Sequence, residues 1–123
     1  MLTVKIKNLG VVSILCLQGR IVRGEMEILR KAVESQTRVR VVILDLTRVN
    51  TIDAGGLGLL LELRESTQSK GIDFKLMNLQ SLVSKLFEIT RLNTVFAVTS
   101  TAEGSLQSAP GRPIPLRELA ACA

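Results

Sequence analysis

The segment VVILDLTRVNTIDAGGLGLLLELRE, residues 41–65, joins two apolar runs through a short, acidic, glycine-rich turn. Residues 39–46 are rich in β-branched side chains and almost continuously apolar, which is typical of a central strand buried on both faces. After the turn, apolar residues recur at helical spacing, at Leu57, Leu60 and Leu61, and Leu59 and Leu63 widen the stripe. A buried strand that leads directly into a buried helix predicts an α/β sheet.

The segments on either side continue this alternation. Residues 4–19 contain two strand-like runs separated by Asn-Leu-Gly, which predicts a hairpin, and residues 25–34 have the spacing of an amphipathic helix. Residues 72–78 alternate as a strand, residues 94–98 form a last short strand, and between them lies a helical stripe of Leu82, Val83, Leu86 and Ile89. We predict one α/β domain, in which an N-terminal antiparallel hairpin leads into a mainly parallel sheet with alternating helices and right-handed crossovers.

The composition fits a folded domain and disfavours nucleic-acid binding. The chain has 123 residues, 46% of them hydrophobic, and a formal charge of +5 carried by scattered lysines and arginines. It has no Trp or Tyr, and its three Phe residues lie among apolar neighbours. The exposed aromatic platform of single-strand binders is therefore missing, and we expect no nucleic-acid partner.

The lack of a targeting signal and the positions of the two cysteines lead us to expect a soluble protein of the cytoplasm. The first ten residues lack the apolar region of a signal peptide, and no apolar run approaches the roughly 18 residues that span a bilayer. Cys16 and Cys122 form neither a disulfide framework nor a zinc motif, which fits a reducing compartment. We expect no membrane insertion.

The sequence offers little for catalysis. Histidine is absent, which removes the usual general base and the commonest metal ligand. Asp45 and Asp53 form a carboxylate pair if both lie at the carboxyl end of the third strand, where open α/β sheets bind ligands. Alternatively, Asp53 caps the following helix, because a carboxylate is favoured beside the exposed amides of a helix start. We expect no enzyme, no catalytic residue and no metal.

The glycines of the turn admit two interpretations. The run AGGLG, residues 54–58, matches neither the GxxxxGK[ST] loop nor GxGxxG, so we expect no nucleotide or other cofactor. Gly55 and Gly56 let the helix start approach something closely, either its own sheet or another protein. The residues alone leave both interpretations open.

Residues 41–65 and the following GIDFKLMNLQSLVSKLFEIT resemble the STAS domain of bacterial anti-sigma factor antagonists. That family has a strand ending in Asp-Leu, a short loop, and then D-[ST]-[ST]-G-[LIVM] at the start of the second helix. This chain has Asp45-Leu46, Asp53, Gly56 and Leu57 in step, and the likeness spans residues 3–107. The resemblance implies a STAS-like α/β fold.

The resemblance also implies a function. Such antagonists work in transcription regulation by partner switching: they bind an anti-sigma factor with a serine-kinase domain, which disarms them by phosphorylating the hydroxyl after the aspartate. The corresponding positions here are Ala54 and Gly55, which have no hydroxyl. The resemblance therefore implies a protein-interaction module that keeps the docking geometry without the switch. The implied partner-binding residues are Asp53, Ala54, Gly55, Gly56, Leu57 and Gly58, with Ala54 as the phosphosite equivalent.

The resemblance leaves an alternative, since STAS-like domains also serve as structural subunits of lipid-transport or stress-sensing assemblies. In that case the same face packs against a fixed partner. A weak homodimer also stays open. A third interpretation is that Asp53 and the glycines only complete a tight turn.

The carboxyl-terminal residues differ in composition from the rest. All three prolines lie within six residues, so we expect a domain of residues 1–107 and a tail of residues 108–123. The final LRELAACA either docks as a helical turn or frays. We expect truncation from Ser108 to leave folding intact.

Overall fold

The computed structural model describes residues 2–99 of the chain. In chain order its elements are β1 (Thr3–Leu9), β2 (Val12–Ile21), α1 (Glu27–Glu34), β3 (Val41–Ile52), α2 (Ala54–Ser69), β4 (Asp73–Met77), α3 (Ser81–Ile89), a 3₁₀ turn (Leu92–Thr94) and β5 (Ala97–Thr99). The predicted boundary at residue 107 and the tail lie outside the described residues.

The strands form a single sheet in the order β1-β2-β3-β4-β5. β1 and β2 pair antiparallel, as the predicted hairpin requires, and the pairs β2–β3, β3–β4 and β4–β5 are all parallel. The predicted fold class is therefore confirmed.

The three helices pack on one face of this sheet. Parallel strands that follow one another in one direction, joined by right-handed crossovers, put every helix on the same side. One core cluster accordingly joins the strands to all three helices, with Leu29 from α1, Leu60 from α2 and Phe87 from α3. The strand β3 lies at its centre, and residues 41–46 are all buried, as the apolar run predicts.

β3 is longer than predicted. It runs on to Ile52, because its second half pairs with the end of β2, where Arg20 lies opposite Thr51 and Ile21 opposite Ile52. Asp45 consequently lies in the middle of the strand and not at its carboxyl end.

The core-facing side of α3 also differs from the predicted stripe. Val83 and Phe87 are buried, whereas Leu82 and Ile89 are 77% and 72% exposed. The apolar spacing fits two faces of this short helix, and contact with the sheet selects one of them. The last strand begins later than predicted, because the 3₁₀ turn (Leu92–Thr94) takes the start of the run.

The opposite face of the sheet has a smaller buried cluster of Val12, Ile14, Val41, Ile43 and Met77. Cys16 packs against this cluster. Cys122 lies outside the described residues. No helix within residues 2–99 is long and apolar enough to cross a membrane.

Candidate functional site

The acidic glycine turn forms the start of α2, and Asp53 is its N-cap. Asp53 has extended backbone angles, and its Oδ1 accepts a hydrogen bond from the backbone N–H of Gly56 at 2.8 Å. The first helical hydrogen bond follows, from the N–H of Leu57 to the carbonyl oxygen of Asp53. This geometry satisfies an amide that a helix start otherwise leaves unpaired.

The second carboxylate oxygen of Asp53 binds a different loop. Oδ2 accepts a hydrogen bond from the backbone N–H of Arg23, at 3.0 Å, in the connection between β2 and α1. The hydrogen bonds from Arg23 and then Gly56 hold the pKa of Asp53 below its usual range. Asp53 therefore remains ionised and connects the β2–α1 loop to the start of α2. The interpretation of Asp53 as the helix cap is confirmed.

Gly56 allows the helix start to lie against the end of β2. A Cβ at Gly56 would lie 2.0 Å from the carbonyl oxygen of Ile21, a backbone atom, and 3.0 Å from a methyl carbon of Ile52. Only glycine fits that contact without a shift of the helix. The close approach at Gly56 is therefore to the protein's own sheet.

The neighbouring positions differ in the space around them. Ala54 is exposed at the first helical position, and Gly58 has open space around it. Gly55 is half-buried, and a Cβ there would lie 3.1 Å from the Cβ of Arg23. Leu57 packs against the core.

The six predicted partner-binding residues are thus brought together, but they do not form one surface. Gly56 and Leu57 face inward, whereas Asp53, Ala54 and Gly58 are exposed. The sequence analysis missed Arg23, whose backbone amide completes the Asp53 hydrogen bonds. No sequence signal marks it, because it lies 30 residues earlier in the chain.

Asp45 and Asp53 do not form a carboxylate pair. Eight residues of nearly extended chain separate them, a distance on the order of 25 Å. Asp45 is buried and accepts hydrogen bonds from the N–H and hydroxyl of Thr47, at 2.9 and 2.5 Å. Gln80 in turn donates to the carbonyl oxygen of Thr47 at 2.6 Å, which joins the start of α3 to β3.

Residues 2–99 contain no group of three side chains suited to hold a metal ion. A cavity of about 270 Å³ lies between α2 and β4, lined by Arg64, Gln68 and Lys75 among others. Arg64 and Gln68 belong to the second half of α2 and Lys75 belongs to β4, so the cavity is separate from the turn at Asp53.

Comparison with known proteins agrees with this fold. An anti-sigma factor antagonist from Mycobacterium paratuberculosis superimposes with a TM-score of 0.77, at 18% identity over 90% of this chain and 96% of that one. The Bacillus anti-sigma factor antagonist SpoIIAA, in its unphosphorylated form, superimposes with a TM-score of 0.70, at 17% identity over 85% and 95%.

A third solved structure comes from a different kind of protein. A sulfate transporter family protein from Wolinella succinogenes superimposes with a TM-score of 0.65, at 23% identity over 75% of this chain and 80% of that one. Identities this low show the fold alone. The family model of the STAS domain, however, matches residues 3–107, most of the chain. The chain therefore belongs to the STAS domain family.

Proposed function

We propose that this protein is an anti-sigma factor antagonist that binds an anti-sigma factor with a serine-kinase domain through the start of α2. The observation that carries the proposal is the exposure of Ala54 on a rigid turn. Both carboxylate oxygens of Asp53 and the contact of Gly56 with Ile21 hold that turn in place. A preorganised, protruding helix start loses little conformational entropy when a partner binds.

We further propose that binding is not switched off by phosphorylation at this turn. SpoIIAA has been solved in unphosphorylated and phosphorylated forms, so an antagonist of this fold carries a phosphate. Ala54 and Gly55 have no hydroxyl to form a phosphoester, so the charge of about −1.5 to −2 cannot be added there. The nearest hydroxyl before Asp53 is that of Thr51, which lies within β3 and pairs with Arg20 of β2.

The proposed protein is a binding module and not an enzyme. Asp53, the only acid of the turn, uses both oxygens to accept backbone hydrogen bonds, which leaves it poorly suited to carry protons. We propose that it acts in the bacterial cytoplasm, where it regulates transcription through its partner, with no contact of its own to nucleic acid.

A charge at the helix start tests the docking surface. The variant Ala54→Glu should weaken binding to purified kinase-type anti-sigma factors of the source organism at least tenfold in titration calorimetry, because it adds charge to the proposed interface. The matched control is Ser69→Glu, which adds the same charge at the far, exposed end of the same helix. Equal affinity of Ala54→Glu and the unaltered chain would refute the surface.

A restored hydroxyl tests the missing switch. With the partner kinase and ATP, the unaltered chain should keep its mass, whereas Ala54→Ser should gain one phosphate. Gly55→Ser is the comparison, since its Cβ is crowded by the Cβ of Arg23, and it should be modified poorly. Phosphate on the unaltered chain at Thr51 would contradict the proposal that phosphorylation does not control binding at this turn.

A second candidate function is that of a structural subunit in a lipid-transport or stress-sensing assembly. The fold shared with a sulfate transporter family protein favours it, because that protein is named for a transporter and not for an anti-sigma factor antagonist. A partner that is a permease or scaffold protein, with no affinity for any anti-sigma factor, would favour this function.

A further inference from the structure

The cavity between α2 and β4 lies where β4 has lost its neighbour strand. The pairing of β4 with β5 begins at Lys75, which lies opposite Ala97. The first two residues of β4, Asp73 and Phe74, therefore have no strand beside them on that side in the described sheet. The second half of α2 passes beside this gap, which leaves an open space of about 270 Å³.

This space has the size and the lining of a site for a small molecule. Ligand pockets usually measure about 300–1,000 Å³, and one water molecule takes roughly 30 Å³. Phe74, Val95 and Ala97 give the cavity apolar walls, whereas Arg64 and Gln68 line it with polar side chains. Apolar walls with a few convergent polar groups are typical of ligand sites.

Arg64 lacks the partner that a half-buried arginine normally has. Within residues 2–99 only two arginines are half-buried, Arg30 and Arg64. Arg30 donates to Glu62 at 2.8 Å and lies 3.7 Å from Glu27. The guanidinium of Arg64 forms neither an ion pair nor a hydrogen bond with any residue of that range. Because taking a charged group partly out of water costs free energy unless it is paired, the position suits an anion from outside the chain.

We propose that this cavity binds a small organic oxyanion, a carboxylate or a phosphate, through the guanidinium of Arg64. A guanidinium presents its N–H donors in a planar fork that binds two oxygens of such a group at once. Gln68 lies one helical turn after Arg64 on the same face of α2, so its side-chain amide adds a neutral donor. Phe74 and Ala97 contact the carbon part of the ligand.

The other charged residues of the lining limit the charge of the ligand. Lys75 adds a second positive charge to that of Arg64, and Asp73 adds a negative one, so the lining carries one net positive charge. Asp73 disfavours a second anionic group on the ligand and accepts a hydrogen bond from a ligand hydroxyl. The site therefore suits a single anionic group on a small body, and not a polyphosphate.

This site is independent of the proposed docking surface. Ala54 begins α2, and Arg64 lies about 15 Å further along the same helix. The titrations described below contain no partner protein. Failure of the cavity to bind an anion therefore leaves the proposed function intact, and equal partner affinity of Ala54→Glu and the unaltered chain would leave the cavity proposal intact.

The first test titrates the full chain with propionate and with methyl phosphate, each of which has one anionic group. At constant ionic strength, NMR should show saturable shifts of the backbone amides of Phe74 and Ala97 and of the Nε–H of Arg64 with at least one probe. Tighter binding of one probe identifies the ligand as a carboxylate or as a phosphate. Propylammonium, the control cation, should give no saturable shift there. Saturation with neither anion, or tighter binding of propylammonium, would overturn the proposal.

The second test replaces the arginine. Arg64→Gln should weaken binding of the better probe at least about tenfold, and Arg64→Lys, which keeps the charge without the fork, should lose less. The matched control is Arg48→Gln, which removes the same charge from an exposed arginine about 20 Å along β3 from Val41, the residue that pairs with Asp73.

The comparison of these variants decides whether the site is specific. Equal losses in Arg64→Gln and Arg48→Gln would mean that the probes follow only the net charge, and unchanged affinity in Arg64→Gln would mean that Arg64 does not hold them. Either result overturns the proposal. If Arg64→Gln does not fold, saturable shifts in the unaltered chain that miss Arg64 and Phe74 overturn it by themselves.

Discussion

At the scale of single residues, replacing two glycines of α2 by alanine should have opposite effects on the free energy of unfolding. Gly56→Ala should lower the free energy of unfolding by about 2 kcal/mol or more, because its Cβ overlaps the carbonyl oxygen of Ile21 and the helix start must move. Gly58→Ala should raise it by about 0.5–1 kcal/mol, because nothing lies within 4 Å and alanine favours the helix. Urea denaturation of both variants measures the difference.

Gly58→Ala is the control for the same substitution in the same helix, two residues away. If Gly56→Ala proves as stable as the unaltered chain, the helix start does not rest on β2 as described. The same variant should also lose affinity for the partner, because the helix start that presents Ala54 must move.

The ionised carboxylate of Asp53 should make the stability of the protein depend on pH. Its pKa is lowered in the folded protein, so its contribution to stability is present above the unfolded pKa of about 4 and is lost as the pH falls through the folded pKa. Asp53→Asn should be less stable than the unaltered chain at neutral pH, and this difference should shrink below about pH 4. Chemical denaturation across this range measures it, with circular dichroism as the check on native fold. A difference that stays constant to the acid end would contradict the role of the ionised carboxylate.

At the scale of elements, α3 shows how packing selects one face of a short apolar helix. Phe87 lies 5.8 Å from Phe96, and Phe96 lies 6.2 Å from Phe74, measured between ring centroids, so three rings join α3 to the sheet. Phe87→Ala should cost about 3–5 kcal/mol, because it removes the ring that α3 inserts into this cluster. Ile89→Ala should change stability by less than about 0.5 kcal/mol, since that side chain is 72% exposed.

Thermal denaturation of the two variants is the measurement for α3. Equal losses for Phe87→Ala and Ile89→Ala would mean that the exposed side of the helix contacts another part of the protein. The comparison is well matched, because both positions lie in the last turn of one helix and both substitutions end in alanine.

At the scale of the whole molecule, the position of each strand in the sheet predicts how fast its backbone amides exchange with solvent. β3 is paired on both sides and its residues 41–46 are buried, whereas β5 has three residues and pairs only with β4 in the described sheet. Amide hydrogen exchange should therefore be slowest at Ile43 and Leu44, where it requires global unfolding, and at least about tenfold faster in β5. Exchange as slow in β5 as in β3 would contradict this order.

Much of this fold was predictable from local patterns. Continuous apolar β-branched residues indicated the central strand, leucines at helical spacing indicated α2, and strands alternating with helices indicated a parallel sheet. These signals are local, since they arise from side-chain periodicity along one element. The N-cap at Asp53 was among the alternatives for the same reason, because a cap and its amide lie three residues apart in the chain.

The remaining features depend on contacts between distant parts of the chain. Four features depend on residues that are far apart in sequence. They are the length of β3, the choice of the buried side of α3, the hydrogen bond from Arg23 to Asp53 and the contact of Gly56 with Ile21. A sequence pattern shows that a glycine allows a close approach, but not to which atom. By itself, the sequence determined the family of folds and the absence of a hydroxyl at positions 54 and 55. Only the tertiary structure decided that Gly56 serves the protein's own sheet and that Ala54 is left exposed, because the packing of α2 against β2 determines which side of the turn faces solvent.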